Sequence, residues 1–304
     1  MKLKFSKEQI QKYISFLCKV SDCSSVAILK FNLEEKFITT AIHDKIRTWI
    51  RIVELSSSED EKLFDILENE SNIDSFSICI FNIKNYIDTI RILQSFENSE
   101  HIIIDFHPYE NFDIINLYEL QTNKKSDYDD LIRSVSDYEI LYTNSTKIVF
   151  KHADLKLLSM TCPYIKDSVI TKYNKSVDRD KLKYSMKLDN ISSICNLLKR
   201  QMTNCIDTAY ITIIIDEITN KLIFKTSDSV VEYSIPLNDI VEIKMDSQEK
   251  TVYKFSFRPV ENILAAIDSA KCISIKFTNN KFLNFEEDLN NLKVNDFLAC
   301  ATEI

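Results

Sequence analysis

The apolar residues of this chain follow two spacings, one typical of strands and one typical of helices. In TVYKFSFRPVENILAAIDSAKCISIKF, residues 251–277, an alternating segment precedes a segment with helical spacing, and a second alternating segment follows. The same order recurs in residues 3–31, 75–106 and 183–215. The pattern therefore predicts four copies of a strand–helix–strand unit, separated by further strand-like segments.

Each predicted helix carries one narrow apolar stripe at spacings of three and four residues. The four stripes consist of Ile10, Tyr13, Ile14 and Leu17; Tyr86, Ile87, Ile90 and Leu93; Ile191, Ile194, Leu197 and Leu198; and Val260, Ile263, Leu264 and Ile267. A single stripe predicts that one face of each helix packs on a sheet, while the opposite face meets water or a ligand. Ser6 and Asn190 stand where helix N-caps are expected, and Pro259 stands in a first turn, where no amide hydrogen is needed.

About three strand-like segments follow each helix, so that every quarter of the chain repeats one plan. We predict an α+β fold of two domains, each made of two strand–helix–three-strand repeats, with the helices on one face of antiparallel sheets. The predicted N-terminal domain spans residues 1–161 and includes an insertion at about 123–137. Residues 162–181 are polar and weakly periodic and form the predicted interdomain connector, and residues 182–304 form the C-terminal domain.

The composition removes several classes of function. The chain has 304 residues, a formal net charge of −8 and no glycine. The P-loop, the GxGxxG dinucleotide turn, the GxSxG nucleophile elbow and the standard calcium loop all need glycine for their geometry, so none of them is present. Asparagine tolerates the left-handed region and is expected to replace glycine in turns such as EITNKLIF. The excess of Ile, Lys and Asn suggests an AT-rich coding sequence, which points to a phage, a virus or an AT-rich bacterium.

The cysteines and the apolar runs predict where the protein acts. Eight cysteines are spread without a CxxC pair, which favours reduced core residues in an intracellular protein over disulfides or structural zinc. No stretch approaches 18 consecutive apolar residues, and the start MKLKFSKEQIQ lacks the apolar core of a secretory leader. We therefore expect no membrane partner.

No arrangement of catalytic residues stands out in the sequence. The four histidines, His43, His101, His107 and His152, have no Ser, Cys or second His at a recognised catalytic or ligand spacing. The acidic run SSSEDEKLFD, Ser56–Asp65, predicts a solvated loop. We therefore predict no enzymatic activity, no catalytic residue, no metal and no cofactor. An α+β hydrolase or nuclease that uses Asp or Glu and a metal is the enzymatic alternative.

The outward faces of the predicted helices are basic although the chain as a whole is acidic. They carry Lys7, Lys12, Lys19, Lys84, Arg91, Lys199, Arg200, Arg258 and Lys271, opposed only by Glu8, Asp88, Glu261 and Asp268. For a single helix, an ordinary solvated face explains such charges. Four equivalent helices with the same bias indicate phosphate contact, because Lys and Arg attract nucleic acid through counterion release without reading its sequence.

Strand–helix–three-strand quarters paired into two domains resemble the DNA sliding clamps, which include proliferating cell nuclear antigen and the clamps of large tailed phages. The segments FSFRPVENILAAIDSAKCISIKF and DFLACATEI are similar to the last clamp quarter and its closing strand. FSICIFNIKNYIDTIRIL is similar to the second quarter of the phage clamps, and MKLKFSKEQIQKYISFL to the clamp start. The resemblance implies two clamp-type domains per chain and a homotrimeric ring whose twelve helices surround duplex DNA.

The resemblance also implies the function and the partners. A clamp is a processivity factor that encircles double-stranded DNA without sequence preference and tethers DNA polymerase after a clamp loader has acted. The implied location is intracellular, in the host cytoplasm at replication sites if the source is a phage or a virus. The binding alternatives are a clamp-fold viral transcription coactivator and a non-ring DNA-binding processivity subunit.

Site residues are carried over by their position in the clamp pattern. The positions that match DNA-facing residues are Lys12, Lys19, Arg91, Lys199, Arg200, Arg258 and Lys271. The positions that match the apolar partner-binding pocket are Ile42, Ile46, Phe297, Leu298, Ala299 and Cys300, where Cys300 replaces the proline of eukaryotic clamps. Subunits are implied to join through edge strands, Lys147–Leu155 of one chain with Val230–Leu237 of the next. The chain departs from the family in its length, mostly through residues 110–181, and in a nearly neutral fourth helix.

Overall fold

The computed structural model describes most of the chain and separates it into two compact units. The described residues are 1–43, 49–58, 61–69, 72–80, 82–95, 100–108, 135–143, 147–151, 165, 167–178, 182–189, 210–226, 232–244, 250–267, 272–278, 282–300 and 302–303. The first unit comprises Met1–Ile42, Ile52–Ile165 and Leu289–Lys293, and the second comprises His43–Arg51, Lys166–Asp288 and Val294–Ile304. The chain thus enters each unit more than once.

In its described residues, the first unit contains two helices and a mainly antiparallel sheet. Its elements are β1 (Lys2–Ser6), α1 (Lys7–Ser21), β2 (Ala27–Asn32), β3 (Phe37–His43), most of β4 (Trp49–Ser56), β5 (Asp65–Glu68), β6 (Ser75–Ile80), α2 (Ile83–Ser95), β7 (His101–Pro108), β8 (Val135–Tyr142) and β9 (Lys147–Lys151). The strand order is β4-β3-β2-β6-β8-β7-β1-β5, and β9 pairs with β8. The short β6–β8 contact is parallel, whereas β1, β2, β7 and β9 pair antiparallel with their neighbours.

Alternation along the strands places a cluster of aromatic rings beneath the helices of the first unit. In β2 and β3 every second residue is buried, as expected for strands with one face toward a core. Phe31 of β2 stacks on Phe76 of β6 at 4.8 Å between ring centroids, and Phe106 of β7 lies 4.8 Å from Phe76. Tyr13 of α1 and Tyr86 of α2 meet edge to face, and their hydroxyl oxygens are 3.4 Å apart. The sheet-facing sides of both helices therefore share one core.

The second unit contains two described helices and two sheets. Its elements are α3 (Asp167–Ser176), β10 (Leu182–Asp189), β11 (Tyr210–Asp216), β12 (Lys221–Thr226), β13 (Glu232–Pro236), a 3-10 turn (Leu237–Asp239), β14 (Val241–Lys244), β15 (Lys250–Ser256), α4 (Phe257–Ile267), β16 (Cys272–Thr278), β17 (Phe282–Leu289), most of β18 (Leu292–Ala299) and β19 (Thr302–Glu303). One sheet has the order β14-β10-β16-β17-β18 and the other has the order β13-β12-β11-β15-β19.

A buried ion pair lies in the second unit, between the start of β4 and β18. The Arg51 guanidinium donates from Nε to Asp296 Oδ1 at 2.7 Å and from Nη2 to Oδ2 at 2.9 Å, while Trp49 Nε1 donates to Oδ1 at 2.8 Å. The side chains of Arg51 and Asp296 are each 1% exposed. A bidentate pair with a third donor meets the condition under which two charges can be buried without an unsatisfied group.

Asparagine takes the backbone conformation that glycine usually supplies. Asn72, Asn220 and Asn290 have φ between 47° and 57°, in the left-handed region, and Lys36 has a φ of 51°. Asn220 lies in the EITN turn between β11 and β12, where Asp216 Oδ1 accepts hydrogen bonds from the amides of Ile218 and Thr219. The prediction that asparagine replaces glycine in this turn is confirmed. The same replacement is expected in KFTNNKFLNF, whose Asn279 and Asn280 lie outside the described residues.

The predicted α+β fold of strand–helix–three-strand repeats on antiparallel sheets is confirmed in the described residues. Quarters one, two and four each show a strand, a helix and then three strands, and the predicted stripes of α1, α2 and α4 are buried. The third stripe, with Asn190 before it, lies outside the described residues. The structure adds β5 and β14, places α3 within the segment predicted as a connector, and begins β8 at Val135, inside the segment predicted as an insertion.

The prediction of a solvated loop at Ser56–Asp65 is wrong at the end of that segment. Leu63 and Phe64 are buried, and Phe64 packs against Phe5 and Phe31 in the aromatic core of the first unit. The acidic residues before them are typical of a solvent-exposed segment, and they predict exposure throughout. Two adjacent apolar side chains were enough to anchor the segment, because their burial outweighs the cost of ordering a short turn.

Candidate nucleic-acid interface and partner surface

Helix α1 is fixed at its start by a capping box and on its inner side by the core. Ser6 Oγ accepts a hydrogen bond from the amide of Gln9 at 3.3 Å, and the amide of Ser6 donates to Gln9 Oε1 at 2.7 Å. Such a box satisfies two of the amides that a helix start leaves without partners, and it confirms the predicted N-cap. The opposite face carries Lys7, exposed, with Lys12 and Lys19 partly exposed.

Lys12 is held in an ion-pair cluster on the surface of α1. Its ammonium group pairs with the carboxylate of Glu61, from the segment before β5, and lies 3.9 Å from Glu8 one turn earlier. Lys19 lies in the last turn of the helix, where a cation interacts favourably with the helix dipole. Lys12 and Lys19 are seven residues apart, about two turns, and so project from the same side of the helix.

Helix α2 brings the predicted Arg91 next to α1. Arg91 is exposed, lies 3.6 Å from Asp88, and donates from Nη2 toward Cys18 Sγ of α1 at 3.8 Å. Gln11 Nε2 of α1 donates to Gln94 Oε1 of α2 at 3.2 Å, a second polar contact between the helices. Burial raises the pKa of the Cys18 thiol, and the nearby Arg91 guanidinium opposes that rise. The predicted cations of α1 and α2 therefore lie on adjoining helices of one unit.

Helix α4 carries fewer charged residues than α1. Arg258 is exposed in its first turn, and Glu261 follows one turn later. The remaining residues predicted to face DNA, Lys199, Arg200 and Lys271, lie outside the described residues.

The residues predicted for the partner pocket differ in exposure. In the first unit, Ile42 is buried. In the second unit, Phe297 and Leu298 are buried in β18, Ala299 is exposed, and Cys300 Sγ donates to the carbonyl of Lys254 at 3.4 Å. Ile46 lies outside the described residues.

Tyr173 of α3 covers part of the predicted partner surface in the second unit. Its ring centroid lies 5.2 Å from that of Phe297 and 5.4 Å from that of Phe282. Burial raises the pKa of the Tyr173 hydroxyl. Phe297 is therefore covered by an aromatic side chain from the segment predicted as a connector, a neighbour that the sequence pattern did not indicate.

Two contact residues of the candidate interface, Glu61 and Gln9, were missed by the sequence reasoning. Glu61 belongs to the acidic run predicted as a solvated loop, and Gln9 is not among the residues predicted to contact DNA. The pair Leu63 and Phe64 was the one available signal, because two bulky apolar residues after an acidic run indicate a segment that returns to the core. Within the described part of the chain, no group of three or more His, Cys, Asp or Glu residues is arranged to hold a metal ion, and no helix is long and apolar enough to cross a membrane.

Comparisons with known proteins show likeness at the level of structure. No protein-family model matches the chain, and no curated protein matches it. Among solved structures, the chain is similar to PCNA from Thermococcus kodakaraensis, with a TM-score of 0.58 and 14% identity over 98% of this chain and 99% of that one. It is similar to the Proliferating Cellular Nuclear Antigen of Entamoeba histolytica, with a TM-score of 0.58 and 11% identity over 99% and 98% of the two chains.

A third similar structure is the PCNA2–PCNA3 complex from Sulfolobus tokodaii, with a TM-score of 0.55 and 10% identity over 99% of each chain. All three matches extend over nearly the full length of both chains, so the likeness concerns the two-domain arrangement of repeats and not one shared motif. The chain therefore has the sliding-clamp fold, as the repeats predicted.

Proposed function

We propose that the protein is a DNA sliding clamp, a processivity factor that surrounds duplex DNA and has no enzymatic activity of its own. The observation that carries the proposal is the clamp-type fold over the whole chain, with the cations of α1 and α2 on the faces turned away from the core. In this proposal the helices contact phosphates of either strand, and ring closure holds the protein on DNA without sequence-specific contacts.

The length and charge of the helices suit this role. Helix α1 has 15 residues and is about 22 Å long, enough to cross a groove of DNA instead of lying in it. The proposed phosphate contacts are those of Lys12, Lys19 and Arg91, together with Lys199, Arg200, Arg258 and Lys271. The net charge of −8 for the chain keeps other nucleic acid away from the remaining surface.

The proposed assembly is a ring of three chains joined through sheet edges. Strand β13 lies at one end of the five-stranded sheet, and among the described strands β9 pairs only with β8. Each therefore has an edge that can pair with a strand of another chain. We propose that β9 of one chain pairs with β13 of the next.

The proposed partners are DNA polymerase and a clamp loader. In this proposal they dock at the positions that match the partner-binding pocket of the clamp pattern, which are Ile42, Ile46, Phe297, Leu298, Ala299 and Cys300. The protein acts inside the cell at sites of replication, in the host cytoplasm if it comes from a phage or a virus, as the AT-rich coding bias suggests.

The second candidate is a clamp-fold transcription coactivator or processivity subunit that binds DNA through one face without closing a ring. The observation in its favour is the uneven charge of the described helices, because α4 carries one arginine and one glutamate whereas α1 carries three lysines and one glutamate. DNA contact confined to the first unit does not need a ring.

Mass in solution separates the two candidates. Sedimentation equilibrium over a range of concentrations is expected to give three times the 35.5 kDa mass of one chain. A variant with Pro in place of Ser234, in the middle of the β13 edge, is expected to shift the mass toward that of one chain, while the matched variant Ser234→Ala remains trimeric. A monomer at all concentrations that still binds duplex DNA would overturn the ring and support the second candidate.

A further inference from the structure

The turn that carries Glu61 is anchored on both sides. Before it, Ser57 donates to the carbonyl of Lys36 from its amide at 3.2 Å and from Oγ at 2.9 Å. After it, the amide of Leu63 donates to Ser57 Oγ at 3.1 Å, and the side chains of Leu63 and Phe64 are buried. Ser58 and Glu61 also exchange backbone hydrogen bonds at 3.1 and 3.4 Å. The backbone of Glu61 is therefore held in place by contacts that do not involve its own carboxylate.

This turn meets α1 at two points. Gln9 Nε2 donates to the carbonyl of Lys62 at 2.7 Å, and the Glu61 carboxylate pairs with the Lys12 ammonium. The Lys12 side chain is 31% exposed and that of Glu61 is 34% exposed. The pair is thus reachable by water, and exposed pairs of this kind are weak enough to exchange partners.

We propose that Glu61 is a built-in competitor of DNA phosphate at Lys12, so that the protein binds duplex DNA less tightly than its helix charges alone would allow. A carboxylate and a phosphate offer the same kind of anionic oxygen acceptor to an ammonium group. When DNA approaches, Lys12 exchanges one for the other, and the released Glu61 takes up a counterion. The Lys12 contact then adds almost nothing to net counterion release. This inference rests on the proposed function, because it assumes that α1 faces DNA.

Such competition serves a protein that must move along DNA. A cation that always has an alternative partner forms and loses its phosphate contacts at low cost, so sliding is not slowed by a long-lived contact. The anchored turn makes Glu61 a constant local competitor of the phosphate, in a way that a freely moving acidic side chain is not.

The test is a double-mutant cycle between Glu61 and Lys12. Fluorescence anisotropy measures the affinity of the full-length protein for a labelled mixed-sequence duplex of about 30 base pairs, from about 50 to 200 mM salt. Glu61→Gln is expected to tighten binding about three- to fivefold at the lowest salt and to increase the salt slope by about 0.9, since Lys12 then releases one counterion. In a Lys12→Met background the same substitution is expected to change affinity less than about twofold.

The matched control is Glu68→Gln, which removes the same charge from an exposed pair with Lys2 at 2.5 Å, on β1 and β5 instead of α1. It is expected to change affinity less than about twofold. If Glu61→Gln has no larger effect than Glu68→Gln, or tightens binding equally without Lys12, the competition is overturned. The proposed function has a different failure: no variant binds the duplex, or Lys12→Met does not weaken binding in the Glu61→Gln protein. Thermal melting of every variant verifies that the fold is kept.

Discussion

Helices α1 and α4 are alike on the sides that face their sheets and differ on the sides that face away. Tyr13, Leu17, Ile263 and Leu264 are all at most 2% exposed, and each helix follows directly from a strand. On the other side, α1 carries three lysines and one glutamate, whereas α4 carries a single arginine and one glutamate. Packing against a sheet therefore constrains one face of a repeat, and the other face can change its charge without loss of the fold.

The difference between inner and outer faces also separates the residues expected to set stability from those expected to set DNA binding. If the inner faces hold the repeats together, substitutions there should cost the same kind of free energy in both helices. If the outer faces contact DNA, substitutions there should leave the free energy of unfolding almost unchanged. Substitutions on the outer face of α1 should then weaken DNA binding more than those on the outer face of α4.

The largest effect is expected at the buried ion pair of Arg51 and Asp296 in the second unit. Arg51→Ala leaves the buried Asp296 carboxylate without its bidentate partner, and we expect a loss of about 3–5 kcal/mol in the free energy of unfolding. Urea denaturation followed by tryptophan fluorescence measures it, because Trp49 donates to the same carboxylate. The double variant Arg51→Met with Asp296→Leu is the control and is expected to recover most of the loss. A loss below about 1 kcal/mol for Arg51→Ala would contradict the role of the pair.

The next largest effect tests the likeness of the inner faces. Leu17→Ala in α1 and Ile263→Ala in α4 each remove buried side-chain volume, and each is expected to cost about 2–5 kcal/mol. Denaturation with urea, monitored by circular dichroism, compares the two losses. Lys7→Ala and Asn262→Ala, at exposed positions of the same helices, are the matched controls and should stay within about 0.5 kcal/mol of the unchanged protein. A small loss at only one of the two buried positions would mean that the repeats are not packed alike.

Much of this arrangement could be predicted from local patterns. The inner faces follow from apolar spacing, which any burial on a sheet must satisfy, and the cap at Ser6 follows from a side chain and a backbone three residues apart. The left-handed turn at Asn220 follows from the absence of glycine and the tolerance of asparagine for that conformation. In each case, the residues that decide the structure lie within a few positions of one another.

The contacts that the sequence did not reveal join residues that are far apart along the chain. Lys12 and Glu61 are 49 positions apart, and Arg51 and Asp296 are 245 positions apart. Periodicity reports which face of an element is buried, but it does not report which residue of another element lies opposite. The contacts of Tyr173 could not be predicted for a related reason. Its helix has a polar composition, and only the fold brings the ring onto Phe282 and Phe297. Site residues whose role depends on such pairings could be proposed from the sequence only by their position in the clamp pattern.

The smallest free-energy effect is expected on the outer faces, and it bears most directly on function. We compare variants in the Glu61→Gln protein, where Lys12 has lost the Glu61 carboxylate and keeps only Glu8, at 3.9 Å. Replacing Lys12 and Lys19 together by Ala is expected to lower the salt slope of duplex binding by about 1.8, since two phosphate contacts are lost. Arg258→Ala in α4 is expected to lower it by at most about 0.9.

The same fluorescence anisotropy titrations measure the slope for each variant. Lys221→Ala, at an exposed position of β12, is the control and should leave the slope unchanged. An Arg258→Ala effect as large as that of the α1 double variant would mean that α4 contacts DNA as closely as α1 does. One arginine makes one phosphate contact, so a slope change that large would exceed the loss of the Arg258 contact alone. It would indicate that the substitution also weakens other contacts between DNA and the outer face of α4. The difference in charge between the two helices would in that case not predict how closely each contacts DNA. The even DNA contact of a closed ring would be favoured over contact through the first unit alone.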